Sequence, residues 1–392
     1  MNEKINELLT RGVEEVIEID SLKKKFESGK KLRIKLGIDP TSPNIHLGRA
    51  VPLMKLRDFQ NLGHKIVLII GDFTGVIGDT SDKDSERPML TSEIIKKNLE
   101  KYIEQAGKII DIDKCEIRYN SEWLRDLTYN KIGEQADVFS VNNFIARENI
   151  KKRLDEGRRV SLREVLYPIM QGYDSVAIKA DVELGGTDQR FNLLAGRDLQ
   201  KHFGQAPQDI ITNTLIEGTD GRKMSSSWGN TINLTDSANE MFGKIMSIKD
   251  ELIVKYFELL TRVPMDEVKV MKREMLIGKL NPRDAKIRLA KEIVTLLHTK
   301  NVAEKAEKSF VDTFSKGEIP TDIEEVKLEK GQSVMQLLVS KNIVSSGSEW
   351  RRLVENGAVK TADGNKINEI NFAPTKETIL RIGKKTFVKI VL

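Results

Sequence analysis

The first half of the chain alternates between short, nearly continuous apolar runs and longer amphipathic ones. KLRIKLGID (31–39), KIVLIIGD (65–72), CEIRYN (115–120), DVELGG (181–186) and QDIITNTL (208–215) predict strands. KIVLIIGD is apolar enough for a strand covered on both faces of a parallel sheet. Between these runs, HLGRAVPLMKLRDFQNLG (46–63), SEIIKKNLEKYIEQAGKII (92–110) and TDQRFNLLAGRDLQKHFG (187–204) repeat apolar residues at three- and four-residue spacing, which predicts helices. A mostly helical stretch over about 121–180 interrupts the alternation. The opening MNEKINELLTRGVEEVIEID has the pattern of an acidic amphipathic helix. The expected class is α/β, a Rossmann-like doubly wound parallel sheet with a helical insertion over residues 1–232. Such sheets take their ligands beyond the carboxyl ends of the strands.

The rest of the chain changes character twice. Residues 233–315 are patterned as helix throughout, which predicts an α-helical domain. Residues 316–331, with Gly317, Pro320 and an acidic run, read as a linker. Residues 332–392 hold two short helical patterns, SVMQLLVSKN and SGSEWRRLVENG, then turn-punctuated strands ending in KTFVKIVL, so a small α+β domain is expected.

Composition narrows the class. Hydrophobic residues make up 39% and charged residues 31% of the 392, the profile of a globular chain rather than a disordered one. No apolar run approaches the ~18 residues of a membrane span, and the N-terminus lacks the basic and apolar regions of a signal peptide, so a cytoplasmic location without membrane contact is expected. Cys115 is the single cysteine, which excludes an intramolecular disulfide and a cysteine-built zinc site. With four histidines in no paired spacing, no protein-held metal is expected. The net charge is +5, and residues 331–392 carry ten Lys or Arg against five Asp or Glu, so the whole excess lies at the C-terminus. A compact basic module suits a polyanion such as nucleic acid, and an ordinary solvated surface accounts for the charge equally well.

Candidate chemistry gathers at the predicted strand tips. LGIDPTSPNIHLGRA (36–50) places Asp39, Thr41 and His46 where the first strand gives way to a helix, whose exposed N–H groups favour phosphate. Gly48 leaves room for a flat base against the backbone. GDFTGVIGDTSDKDSERP (71–88) brings Thr74 and Asp79 to the same crevice, with Lys83 and Arg87 on a polar loop. In LYPIMQGYDSVAI (166–178), Tyr167, Gln171 and Asp174 fall at i, i+4 and i+7, on one face of a helix otherwise carrying Ile, Met and Val, which suggests a pocket wall. ELGGTDQRFN (183–192) opens a helix with a glycine pair, Asp188 and Gln189, without the GxGxxG of dinucleotide sites. DGRKMSSSWGN (220–230) sets Arg222 and Lys223 before three serines between two glycines, either a solvated turn or an arm that handles phosphate.

The order of these pieces resembles the class I aminoacyl-tRNA synthetases, with HLG (46–48) in the place of the "HIGH" signature and KMSSS (223–227) in that of "KMSKS". YNSEWL (119–124), the Tyr167–Gln171–Asp174 spacing and GGTDQ (185–189) narrow the resemblance to the bacterial-type tyrosyl-tRNA synthetases, essentially end to end. What it implies is an ATP-dependent joining of L-tyrosine to tRNA(Tyr), through tyrosyl-adenylate, by a homodimer built through the inserted helical region. ATP would arrive with Mg²⁺. Thr41, His46, Arg49, Lys83, Arg87, Lys223 and Ser226 would act at the phosphates. Gly37, Asp39, Gly48, Gly186, Asp188, Met224 and Ser225 would complete the ATP site with His46, Lys223 and Ser226. Tyrosine would meet Lys35, Asp39, Thr74, Asp79, Asn120, Tyr167, Gln171, Asp174 and Gln189, with Asp174 accepting its phenol hydroxyl. SGSEWRRLVENGAVK (346–360) resembles a small RNA-binding fold first described in a ribosomal protein, which assigns Arg351, Arg352 and Lys360 to RNA and residues 233–315 to the anticodon side of the tRNA.

Four positions depart from the family pattern. Arg49 stands for the second histidine of "HIGH", and Ser226 for the second lysine of "KMSKS". Lys35 stands where many relatives place a tyrosine against the phenol, and Glu183 where a relative has glutamine. Arg49, Lys83 and Arg87 are expected to make up the missing phosphate charge. Three rival readings share parts of this pattern: a tryptophanyl-tRNA synthetase, a catalytically idle RNA-binding paralogue, and another adenylate-forming ligase. YNSEWL and the basic C-terminal module separate the first, the complete set of pocket residues the second, and residues 331–392 the third.

Overall fold

Six strands carry the larger part of the chain: β1 (Val13–Ile17), β2 (Arg33–Ile38), β3 (Lys65–Ile70), β4 (Glu116–Tyr119), β5 (Val182–Gly186) and β6 (Asp209–Asn213), in the spatial order β1-β6-β5-β2-β3-β4. The computed structural model describes residues 3–79, 89–315, 323–329, 331–362, 364–383 and 386–392. It divides into a unit ending at Ala303 and a second unit, Glu304–Leu392. β2 pairs in parallel with both β3 and β5, so the chain runs outward through β3 and β4 and then returns to β5 and β6 on the other side. The crevice between the β2 and β5 tips is the switch point at which an open α/β sheet receives its ligand.

The sheet is mixed rather than wholly parallel, because β1 pairs antiparallel with β6. The N-terminal run expected as one amphipathic helix is helical only over Glu3–Thr10. Gly12, at φ +62°, turns the chain out of that helix, and Val13–Ile17 then adds to the sheet edge. Three of those five residues are Val or Ile, and their β propensity wins once an open edge is available.

Every residue of β3 after Lys65 is buried, as a strand covered on both faces requires. On one side the helix Leu47–Asn61 packs on β2, β3 and β5. The insertion contributes the helix Leu162–Ile178, which packs along the helix Arg190–His202. A capping box sets its start: Ser161 takes the backbone N–H of Glu164, whose carboxylate accepts from the Ser161 backbone N–H at 3.0 Å and also pairs with the buried Arg153. This fixes the helix whose face carries Tyr167, Gln171 and Asp174. Helices fill most of the stretch 233–315, and the last of them, Lys300–Ser315, runs through the boundary between the two units, which falls before the expected end of that stretch; the helix Ile253–Leu260 packs on Leu47–Asn61.

In the second unit, β7 (Glu324–Lys327), β8 (Val359–Thr361), β9 (Thr378–Ile382) and β10 (Thr386–Val391) form a sheet in the order β7-β10-β9-β8. Trp350, fully buried, donates its indole N–H to the Ile370 carbonyl at 2.9 Å and anchors the core with Leu337, Leu338 and Leu380. β7 lies inside the 316–331 segment expected as linker. It pairs in parallel with β10, and only Val326 of its four residues is buried, too little apolar periodicity to read as a strand.

Candidate active site

A cavity of about 550 Å³ opens at the tips of β2 and β5. It is bounded by the start of the helix Leu47–Asn61, the face of Leu162–Ile178 and the loop after β6. The expected residues Gly37, Asp39, Thr41, His46, Gly48, Arg49, Thr74, Asp79, Asn120, Tyr167, Gln171, Asp174, Gly186, Asp188, Gln189, Lys223, Met224, Ser225 and Ser226 all line it. Lys83 and Arg87 lie outside the described residues.

One part of the lining is a connected set of buried polar groups. Tyr167 donates its hydroxyl to Asp39 Oδ2 at 2.7 Å, and Thr74 donates to Asp39 Oδ1 at 2.8 Å. Asn120 donates to Thr74 Oγ1 at 2.8 Å and reaches Asp174 Oδ2 at 3.4 Å. Trp123 donates its indole N–H to Asp174 Oδ1 at 2.8 Å. Burial raises the carboxyl of Asp39 to about 6, against the hydrogen bonds from Tyr167 and Thr74. Burial likewise raises Asp174 to about 7, opposed first by the charge of Lys35 and then by the bonds from Trp123 and Asn120. A second string runs beside it. Asn192 donates to Gln171 Oε1 at 3.0 Å and Gln189 Oε1 at 3.2 Å, and Gln189 donates to Asp79 Oδ2 at 2.7 Å. Donors converging on carboxylates, with an open face toward the cavity, suit a ligand with a hydroxyl and an ammonium group.

Gly71 makes this arrangement sterically feasible. A Cβ there would stand 1.9 Å from Asp39 Oδ1 and 2.4 Å from Thr74 Oγ1. Gly71→Ala is therefore expected to displace both side chains, lowering affinity for tyrosine, the ligand the resemblance implies, by at least about tenfold and stability by about 1–3 kcal/mol. Calorimetric titration and thermal melting check this, and a variant that binds and melts like the parent would show that the contact is slack.

The other part of the lining suits a nucleotide. His46 caps the helix Leu47–Asn61, and a Cβ on Gly48 would lie 3.0 Å from its ring, so the glycine keeps the floor flat. The Gly48 N–H points at Met224 Sδ at 3.3 Å, which joins the HLG turn directly to the KMSSS loop. Backbone bonds clamp the same place: Leu47 N–H to Ile232 O and Leu234 N–H to Ile45 O, each 2.8 Å. Within the loop, Asn230 accepts from the Ser225 N–H at 2.9 Å and donates to Asp220 Oδ1 at 2.8 Å and Lys223 O at 3.0 Å. Arg222 pairs with Asp220 and lies over the Trp228 ring, 4.9 Å from its centroid, so it is directed away from the phosphate role open to Lys223. Lys223 Nζ sits 2.9 Å from Asp188 Oδ2. Arg49 donates to the Tyr102 hydroxyl and reaches Thr41 Oγ1 and Asp39 O at 3.4 Å.

One expected tyrosine-site residue is placed elsewhere. Lys35 is fully buried beneath the cavity, with its ammonium bonded to Gln171 O, Ser175 Oγ and Glu183 Oε1 at 2.9, 2.7 and 2.8 Å. An ammonium has three N–H groups, so none is left for a phenol. Trp123 and Asn192 were not singled out from the sequence, although Trp123 lies in the quoted YNSEWL motif.

The family model for class I tRNA synthetases of the W and Y type matches residues 27–315. Over 399 aligned residues, a tyrosine–tRNA ligase of Carboxydothermus hydrogenoformans is 48% identical, covering 98% of this chain and 97% of the relative. The chain belongs to the tyrosyl-tRNA synthetase family. A tyrosine–tRNA ligase of Thermotoga maritima is 46% identical over 386 residues, covering 98% and 96%. Among solved structures, a truncated mitochondrial tyrosyl-tRNA synthetase of Aspergillus nidulans superposes with a TM-score of 0.67 at 22% identity, over 80% of this chain and 95% of that one. The tyrosyl-tRNA synthetase of Archaeoglobus fulgidus, solved with L-tyrosine, does so at 0.62 and 23%, over 78% and 100%. These distant likenesses show the class I synthetase fold.

Proposed function

We propose that this cavity is where the chain carries out the reaction of its family, ATP-dependent formation of tyrosyl-adenylate with release of pyrophosphate, followed by transfer of the tyrosyl group to tRNA. The supporting observation is the meeting, in one cavity, of a buried carboxylate cluster around Asp174 and a cation-bearing loop around Lys223. Asp174 accepts the phenol hydroxyl. Tyr167, Gln171, Asp79 and Thr74 surround the ammonium group, with Asp39, Asn120 and Gln189 behind them. The substrate carboxylate is already ionised at neutral pH and attacks the α-phosphorus without a general base, so the protein's work is positioning and charge stabilisation. Thr41, His46 and the N-terminus of the helix Leu47–Asn61 face the phosphates, with Gly37, Gly48, Gly186, Met224 and Ser225 around the nucleoside. Asp188 takes the ribose hydroxyls. That exchange frees Lys223 for the departing pyrophosphate, helped by Arg49, Lys83 and Arg87, while Ser226 offers only a hydroxyl. Mg²⁺ belongs to the substrate as ATP·Mg²⁺.

The second unit is the proposed tRNA anchor, with Arg351 and Arg352 exposed on the helix Gly347–Glu355 and Lys360 on β8. The helices within 233–315 belong to the anticodon side. A homodimer is proposed through the insertion, which exposes Tyr129, Val141 and Leu162, the first at 94%. The proposed compartment is the cytoplasm, where charged tRNA is used.

Tyrosine-dependent exchange of pyrophosphate into ATP, with tryptophan and phenylalanine as controls, tests the amino-acid assignment. Exchange driven by tryptophan instead of tyrosine would overturn it. Ending the chain at Ile323, so that β7 leaves together with its partner β10, is expected to spare exchange within about twofold and lower tRNA charging at least about a hundredfold. Normal charging by the shortened chain would refute the anchor.

A further inference from the structure

Below the Asp174 cluster lies a charge pair that these roles leave unused. Lys35 and Glu183 are register partners on the adjacent parallel strands β2 and β5. Their charged atoms are 2.8 Å apart, and the side chains are 0% and 1% exposed. Neither residue lines the cavity. Glu183 Oε2 accepts from Ser175 Oγ at 3.1 Å and from Gln208 Nε2, and Gln171 Nε2 reaches Oε1 at 3.4 Å. A buried ion pair is rarely more stabilising than the apolar side chains that could fill the same volume. Its place in the fold is therefore the informative feature.

On the helix Leu162–Ile178, Lys35 bonds to Gln171 and Ser175, the two residues that bracket Asp174. The ammonium thus acts on the carboxylate through its charge, with its own hydrogen bonds going to Gln171, Ser175 and Glu183. Its charge is the strongest influence keeping Asp174 ionised, ahead of Trp123 and Asn120, whereas Glu183 acts in the opposite sense. Among the described residues, the other charged or titratable groups about this end include Tyr167 on the same helix, Asp39 and Asp79 about Tyr167, and Arg49, whose charge acts on Asp39.

We propose that Lys35 and Glu183 act together as positioning residues for tyrosine recognition: the ammonium holds the Gln171–Ser175 turn and keeps Asp174 ionised for the phenol, and Glu183 limits that field. This rests on the reading that Asp174 accepts the phenol hydroxyl. An ionised Asp174 gains a charge-assisted bond from tyrosine that phenylalanine cannot make, whereas a protonated one gains much less. The departures at Lys35 and Glu183 are then one coupled substitution across neighbouring strands, in place of a side chain that touches the substrate.

The test is the pH dependence of KM for tyrosine in pyrophosphate exchange by the full chain, between about pH 5.5 and 8.5, a window that brackets Asp174. The parent's KM rises on acidification as Asp174 takes a proton. Lys35→Met is expected to move the midpoint up by about one pH unit and Glu183→Gln to move it down, with KM for ATP unchanged in both. A disturbance of packing alone would not send the two midpoints in opposite directions. Midpoints that stay within about 0.3 unit of the parent, or move the same way, overturn the proposal. Should either single variant melt early, the double variant Lys35→Met/Glu183→Gln decides. Because Lys35 acts on Asp174 more strongly than Glu183 does, the double variant's midpoint is expected to lie above the parent's by less than about one pH unit, and a midpoint at or below the parent's overturns the proposal. Asp174→Asn separates the two layers. If it leaves that preference intact, the phenol reading falls and takes the proposal with it. If it lowers the preference while the Lys35 and Glu183 variants do not shift the midpoint, only the proposal falls.

Discussion

Replacing Asp174 by asparagine is expected to lower kcat/KM for tyrosine by about two orders of magnitude while changing that for phenylalanine by less than about threefold. The carboxylate is 3% exposed, and Trp123 and Asn120 already donate to its two oxygens. Asparagine can keep one acceptor for Trp123, but it presents an amide N–H₂ toward Asn120 and carries no charge for the phenol. The loss is specific to the hydroxyl-bearing substrate, because phenylalanine never gained from that charge. Parallel exchange assays with the two amino acids read the ratio directly. An equal fall for both would mean that the substitution had distorted the pocket and that the phenol is recognised elsewhere. The same group makes recognition pH-sensitive. With its carboxyl raised to about 7 by burial, Asp174 in the proposed role is expected to bind the phenol best above that pH and progressively worse below it.

The second large effect is expected at Lys223. Lys223→Met should slow adenylate formation by about 10²–10³ while leaving KM for tyrosine within about twofold. The loop has no second lysine, since position 226 is serine, and Arg222 is engaged by Asp220 and Trp228. In the proposed role, Lys223 therefore carries the loop's contribution to the departing pyrophosphate. Lys83→Ala and Arg87→Ala should each slow the same step further, and full activity in both would show that the charge comes from elsewhere. Stability should hardly change, because the Lys223–Asp188 pair is partly solvated on both sides and such pairs are worth under about 1 kcal/mol. Single-turnover formation of tyrosyl-adenylate, set beside thermal melting, distinguishes loss of catalysis from loss of fold.

Much of this site was legible wherever local spacing decides geometry. Tyr167, Gln171 and Asp174 share a face because a helix repeats every 3.6 residues. Strand tips, the HLG turn and the serine-rich loop were legible from order alone. Features that depend on partners distant in the chain were not. Gly71 looks like any strand-end glycine until Asp39 and Thr74 close over it. Asn230 looks like a turn residue until its amide is found holding Asp220, Lys223 and Ser225 together. Lys35 was placed in the tyrosine site because it stands where many relatives carry a tyrosine, and Glu183, on the neighbouring strand but far away in the chain, holds its ammonium instead. β1 and β7 escaped for a related reason: both are short edge strands formed by pairing with β6 and β10, and carry little periodicity of their own.

The clamp between Ile45–Leu47 and Ile232–Leu234 bears on how the chain reaches its native state. Four of the six strands, β3 to β6, lie between its two halves in sequence, so closing it means ordering a very long intervening loop. Contacts of such high sequence separation form late and slow folding. During synthesis the nucleotide cradle cannot assemble until residue 234 has left the ribosome, well after β2 and β3 have been made. A nascent chain therefore has strands of its sheet before it has the proposed ATP site, and is expected to gain affinity for nucleotide in a late step.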